Sequence, residues 1–462
     1  MKNITGLLVV FIFAISLVAS LKTYCKQTLS SKKYDSFIVQ QEQADEIKGN
    51  TKWFKEAGFG MFIHWGLYSI PAGMWKGEPV KDKRYINPYA EHIMMLNKIP
   101  IKEYAKLADS FNPIDFNAEY IVNLAKKAGM KYIVYTSKHH DGFAMYDSKV
   151  SDYNIVKATP YNKDPLKSLS EACQKEGIKL CLYYSLGRDW NEPHAVAREN
   201  RRNIWDFPDK TGFSYQRYLD EKVKPQLAEL LTNYGKVAMI WFDTPELTTL
   251  EQSLDLEKLI KTLQPKCIIN TRVGNNVGDV EEMSDNYIPE STKAKPWESP
   301  TTMAESWGYS VLDTEEYWKS SDELIEKLVE IRAKGGNYLL NIGPDEKGAV
   351  PARAVERLDD IADWMVVNSQ AIYNVSPVKK TKIHNGRFTQ SENNLFVHLF
   401  EHPNSKTIVL YIDSEKINNV YLLTKTGDKK LNFKPTLGSG IMISLPKKLP
   451  FNSVSVIKIE TN

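Results

Sequence analysis

Three times along the chain an amphipathic helical pattern ending at or near a glycine is followed at once by a short apolar run. This alternation restricts the fold more than any other feature of the sequence. The helical segments are AEYIVNLAKKAGM, DPLKSLSEACQKEG and PQLAELLTNYG, with apolar residues three and four apart. Glycine ends them because a left-handed C-cap costs least there. KYIVYTS, KLCLYYS and VAMIWFD follow, FGMFIHWG comes earlier, and KCIINTR and NYLLNIG come later, the last after SDELIEKLVEIRAKGG. Strands alternating with helices imply a parallel sheet with helical crossovers. His64, His139, His140, Tyr183, Asp243 and Arg272 all stand at carboxyl ends of these runs. A closed barrel gathers every strand end over one pocket, whereas an open sheet concentrates its site at one switch point, so a barrel is expected. No GxGxxG or GxxxxGK[ST] sits at a strand-to-helix turn, which removes the usual phosphate cradles.

From about residue 376 the texture changes. NLFVHLF, TIVLYID, NNVYLLT, GIMISLP and SVSVIKI are short, alternating and separated by polar turn residues, with no amphipathic helix between them. An antiparallel sandwich over 376–462 is expected, after a catalytic domain at 48–372 and a polar arm at 21–47. Residues 1–20, MKNITGLLVVFIFAISLVAS, have the pattern of a secretory leader cleaved near Ser20, and their apolar stretch is short for a bilayer span. The mature protein is therefore expected to be soluble outside the cytoplasm, in the periplasm if the source is Gram-negative, without a membrane span. A net charge of +3 from 60 basic and 57 acidic residues supplies no field that would track nucleic acid. The four cysteines, Cys25, Cys173, Cys181 and Cys267, have no CxxC spacing and imply neither a disulfide framework nor a zinc site; Cys173 and Cys181 read most simply as buried thiols, with a single disulfide between them the alternative.

Asp243 closes the apolar run MIWFD. It suits a functional acid at a strand end, and, being followed by Thr-Pro-Glu, equally a helix N-cap. The pair His139-His140 is more telling. Adjacent strand residues point to opposite faces, so both reach one pocket only where the strand ends and the chain turns, and Asp141-Gly142 supplies a turn. With no third ligand at metal spacing nearby, neutral imidazoles holding sugar hydroxyls suit the pair better than a metal. Trp65, Trp75, Trp190, Trp241, Trp297 and Trp307 cluster near the same strand ends. Aromatic faces beside carboxylates are what glycoside chemistry requires, with one acid near the anomeric carbon and another reaching the leaving oxygen.

KWFKEAGFGMFIHWGLYS, NPYAEHI, YTSKHHDGFAMYDS, LYYSLGRDW, MIWFDTPE, NTRVG, PWESP with SWGY, and GGNYLLNIGPDEKG, in this order, resemble the alpha-L-fucosidases of glycoside hydrolase family twenty-nine from about residue 50 to 370. The resemblance implies a (β/α)8-like, TIM-type, somewhat irregular barrel followed by a β-sandwich. It also implies an exo-acting, retaining hydrolase that releases terminal alpha-L-fucose from fucosylated oligosaccharides or glycoconjugates without metal or cofactor. By the same resemblance Asp243 matches the nucleophile, and His64, Glu91, His139, His140, Tyr183, Trp241 and Arg272 match sugar-contacting positions, with Tyr184 the rival to Tyr183. The family's acid/base lies on a variable loop. Glu298, after Trp297 and ahead of Ser306-Trp307-Gly308-Tyr309, matches the arrangement in animal-type members, with Glu290 and Glu305 as the other acids in reach. Two alternatives stand beside this reading: a retaining glycosidase for a related sugar such as alpha-L-galactose, and a catalytically inactive carbohydrate-binding protein on the same fold.

Overall fold

The computed structural model describes residues 50–462 except 82–87, 196–200, 210, 379–382, 404, 413 and 437–439. The expected leader, the arm at 21–47 and Cys25 lie outside the described residues.

The parallel alternation forms as the sequence implies. Strands β1 (Phe59–Ile63), β2 (Tyr132–Lys138), β3 (Lys179–Ser185), β4 (Val237–Asp243), β5 (Ile268–Ile269), β6 (Glu281–Glu282), β7 (Trp297–Thr301) and β8 (Asn337–Ile342) make one eight-stranded sheet. Its hydrogen-bonded order runs β5-β4-β3-β2-β1-β8-β7-β6. The two edges meet at a parallel bridge between Asn270 and Val280, where Thr271 N–H donates to the Val280 carbonyl at 2.8 Å, so the ring closes in chain order. Helices α1 (Ala118–Lys127), α2 (Pro165–Glu176), α3 (Lys224–Asn233), α4 (Leu250–Leu263), α5 (Ser321–Ala333) and α6 (Ala352–Asn368) cover it. Their starts are locally encoded. Asn117 caps α1, Asp164 caps α2 ahead of Pro165, and Thr249 forms a capping box with Gln252 at α4. Because α4 begins at Leu250 under Thr249, Asp243 is not its N-cap.

Two strands escaped the sequence pattern. β6 is two glutamates and β7 reads WESPT, neither of which is an apolar run, and no α-helix separates β5, β6 and β7. The barrel is irregular here.

Alternation sorts each strand into two faces. Phe62, Tyr132, Val134, Cys181, Tyr183, Met239, Trp241 and Leu339 form a buried cluster inside the ring, whereas Ile133, Leu182, Tyr184, Ile240 and Phe242 join the larger cluster toward the helices. Gly60 belongs to the inner set because a Cβ there would lie 2.4 Å from the Tyr132 ring.

Downstream, β9 (Gly386–Gln390), β10 (Asn394–Leu399), β11 (Thr407–Leu410), β12 (Ile417–Leu422), β13 (Phe433–Pro435), β14 (Ile441–Ser444) and β15 (Ser455–Thr461) form antiparallel sheets. One has β9-β10-β15-β12 at its centre and the other is β11-β14-β13, with Val397, Leu410, Val420, Ile443 and Ile457 in the core between them. The sandwich is not a separate body: Trp53–Asn462 is one compact unit. Trp364 on α6 donates its indole N–H to the Val454 carbonyl at 2.6 Å, and Thr389 on β9 donates to the Ala371 carbonyl at 2.9 Å. Cys173, Cys181 and Cys267 are buried free thiols, so no Cys173–Cys181 disulfide forms. Cys173 packs toward the helices and Cys181 inside the ring, on opposite sides of the barrel wall.

Candidate active site

The carboxyl ends of the strands surround a pocket of about 220 Å³. Of the nine residues singled out from the sequence, His64, Glu91, His139, His140, Tyr183, Trp241, Asp243 and Arg272 line it. Glu298 does not.

β2 ends at Lys138, and the chain turns through Gly142, whose φ of 76° suits glycine and whose N–H returns to the His139 carbonyl at 3.1 Å. The turn is what lets both imidazoles face one pocket. It is held from behind. Lys138, fully buried, donates to Asp189 at 3.0 Å and to the Tyr218 hydroxyl at 2.7 Å, while Asp141 accepts from the Tyr104 hydroxyl at 3.1 Å. His64 shares a 2.7 Å hydrogen bond with the Asn341 side chain, and His140 a 2.6 Å bond with Ser185. Burial pushes His64 down to about 4 and holds His139 and His140 well below the ordinary histidine value, so all three are neutral near neutrality. His139 Nδ1 is buried without a protein partner among the described residues.

Asp243 sits at the last residue of β4. Its carboxylate accepts from the Tyr183 hydroxyl at 2.9 Å, the Arg272 guanidinium at 2.9 Å and the Thr244 N–H at 2.8 Å. Burial alone would raise its pKa, but the positive charges of Arg272 and Arg188 and the two side-chain hydrogen bonds outweigh burial and lower it. Asp243, its side chain 14% exposed to the pocket, is therefore an oriented anion. Tyr183 reaches it because alternation turns Tyr184 outward, where its hydroxyl meets Gln226 at 2.7 Å. Glu91 comes from the short turn Ala90–His92 and accepts from Ser306 Oγ and Gly308 N–H, both at 3.0 Å. Burial lifts it to about 7 in spite of those bonds.

The acid at the pocket mouth is Asp285, which the sequence reading missed. It follows β6 closely, lines the pocket, and its side chain is 39% exposed. Arg272 bridges the two aspartates, giving Nη1 to Asp243 at 2.9 Å and Nη2 to Asp285 at 3.0 Å. Nη2 also donates to the Met283 carbonyl at 2.6 Å, and the guanidinium lies 4.9 Å from the Trp241 ring centre. Trp307 of the SWGY stretch completes the aromatic wall, 5.0 Å from His64. An acid leaving the carboxyl end of a strand was the available signal for Asp285. It went unread because a strand of two glutamates has no apolar signature.

Glu298 lies away from the pocket lining. It is the second residue of β7, paired with Asn337 at the start of β8, so it enters the barrel from the end opposite the pocket. Fully buried, it accepts from the Tyr132 hydroxyl and, at 2.9 Å, from the Trp241 indole N–H. Glu290 and Glu305 are exposed and do not line the pocket. Among the described residues no group of His, Cys, Asp and Glu is arranged to hold a metal ion, and no helix is long and apolar enough to cross a membrane.

A sequence model described as Alpha-L-fucosidase matches residues 23–370. Tissue alpha-L-fucosidase of Mus musculus is 30% identical over 428 residues, covering 86% of this chain and 88% of its own length. Among solved structures, alpha-L-fucosidase isoenzyme 1 of Paenibacillus thiaminolyticus superposes with a TM-score of 0.81 at 31% identity, over 90% of this chain and 100% of that one. The Lactobacillus casei alpha-L-fucosidase in complex with its alpha-L-fucose product is 42% identical with a TM-score of 0.63, over 68% of this chain and 97% of that one. With the barrel, the pocket and these likenesses together, the chain belongs to the alpha-L-fucosidase family of glycoside hydrolases.

Proposed function

We propose that this chain is an exo-acting, retaining alpha-L-fucosidase in which Asp243 is the nucleophile and Asp285 the acid/base. The observation that carries this reading is the single guanidinium of Arg272 holding two carboxylates at one pocket, the less exposed one lowered and the other at the mouth. At about 220 Å³ the pocket is smaller than drug-sized ligand sites and suits one sugar ring, which supports release of a terminal residue. His64, His139, His140 and Glu91 hold ring hydroxyls. The His139 Nδ1 that lacks a protein partner gains one from the sugar.

Asp243 attacks the anomeric carbon and forms an ester as the glycosidic C–O bond breaks, and Asp285 gives its proton to the leaving oxygen. Water then attacks the same carbon as Asp285 takes its proton, and the bond from that carbon to Asp243 breaks, returning the Asp243 carboxylate and releasing fucose with retained configuration. The acid role passes from Glu298 to Asp285 in this reading because a proton donor must reach the leaving group, and Glu298 lies beneath Trp241.

Incubation with an aryl alpha-L-fucoside, with NMR of the first-formed anomer, tests the reaction, and a 2-fluoro-fucosyl inactivator tests the nucleophile. An alpha anomer first and a label on Asp243 are expected. Hydrolysis of alpha-L-galactosides in preference, or no turnover at all, would favour the alternatives. Export belongs to the same proposal: purified extracytoplasmic protein should begin near Leu21 on N-terminal sequencing, and a retained Met1 would refute it.

A further inference from the structure

Glu282 on β6 and Glu298 on β7 are register partners in adjacent parallel strands, so their side chains leave the sheet on the same face. Both carboxylates end inside the barrel: Glu298 is fully buried, and both Glu282 oxygens are buried without a hydrogen-bond partner among the described residues. Two like charges directly opposed in a dry interior repel strongly, and a proton shared between them removes that cost. The donors decide which carboxyl keeps the charge. Glu298 accepts from the Tyr132 hydroxyl and the Trp241 indole, which stabilises an anion, whereas a protonated Glu282 satisfies its own orphaned oxygen by donating to Glu298. Burial raises both carboxyls, Glu282 the more strongly.

We propose that Glu282 and Glu298 share one proton and that this pair positions Trp241, and through it Tyr183 and Arg272, beneath the sugar. The path is short. The indole held by Glu298 stacks on the Tyr183 ring at 5.4 Å and 23°, and carries the Arg272 guanidinium on its face. Tyr183 and Arg272 are in turn the side-chain donors that fix Asp243, and Arg272 also holds Asp285. Besides each other, the pair faces the Tyr132 phenol, the Arg272 charge and the Cys181 thiol. The kinetic part of this inference rests on the fucosidase reading, and the spectroscopic part does not.

The test has two arms. Infrared difference spectra of wild type against E282Q at neutral pH should show the carbonyl stretch of a neutral carboxylic acid in wild type and lose it in the variant; no difference in that band overturns the shared proton. E298L should lower kcat by about a hundredfold, the scale for misplaced catalytic groups, with KM changed far less, equally for aryl fucosides with good and poor leaving groups. Its Trp241 indole resonance should shift, and azide should not rescue turnover. E298Q, which keeps an acceptor for the indole, should recover at least tenfold of that loss and also reports if E298L fails to fold. A loss confined to poor leaving groups with azide rescue would make Glu298 the acid/base and overturn the positioning role. Absence of wild-type turnover on fucosides would defeat the functional reading while leaving the infrared and indole arms intact.

Discussion

Replacing Asp285 with alanine separates the two acids that sequence and structure nominate. The fold should barely notice: the side chain is 39% exposed and its ion pair with Arg272 is of the kind worth about 0–1 kcal/mol. Arg272 stays in place, because it keeps its 2.9 Å bond to Asp243 and its 2.6 Å bond to the Met283 carbonyl. Loss of a general acid costs roughly 10²- to 10⁴-fold, about 3–5 kcal/mol of barrier, on a leaving group that needs a proton. An aryl fucoside with an acidic phenol needs little protonation, so its first step survives while deglycosylation, deprived of a base, becomes limiting. Both kcat and KM for that substrate should then fall together. Azide, which needs no base, should attack the Asp243 ester in place of water, restore turnover and yield the alpha-fucosyl azide with retained configuration. The assay is a leaving-group series with and without azide, run beside thermal melts of both proteins. Equal losses across the series without rescue would refute the assignment of Asp285.

Gly60→Ala should destabilise by about 1–3 kcal/mol, the usual cost of overpacking, since its Cβ would meet the Tyr132 ring at 2.4 Å; an unchanged urea midpoint would show that the ring can yield. His64, held at about 4 against an unfolded value near 6.5, stays neutral while the unfolded chain takes up protons, so stability is lost as pH falls from 6.5 toward 4, by up to about 3 kcal/mol from this residue. Glu91 and Asp141, raised by burial to about 7, act in the opposite sense over the same window, so the effect is read as the difference in urea midpoint between wild type and His64→Asn at pH 7 and pH 4.5, and identical pH slopes would refute it. In a Cys25→Ser variant, thiol reagent should label nothing until denaturant is added and then three cysteines, because Cys173, Cys181 and Cys267 are buried and unpaired; prompt labelling of the native protein would contradict that.

The sequence by itself determined what short-range periodicity can encode. Helices α1 to α3 with their glycine stops, the strands of apolar runs, the turn after His139-His140 and the short alternating strands of the sandwich are all written within a few residues of themselves. The strand-end position of Asp243 and the gathering of eight polar and aromatic residues on one pocket follow from that pattern once the ring closes. Tertiary structure decided which faces meet. β6 and β7 have no apolar signature and exist because β5 and β8 leave two places in the ring for them. Glu298, read by its motif as an acid over the sugar, was carried below Trp241 by register with Asn337. Asp285 met Asp243 across Arg272 for the same reason, and His64 met Asn341 across 277 residues. A one-residue change of register turns a side chain to the other face at no cost that local sequence records, so the depth and partner of each acid are fixed only when the barrel closes.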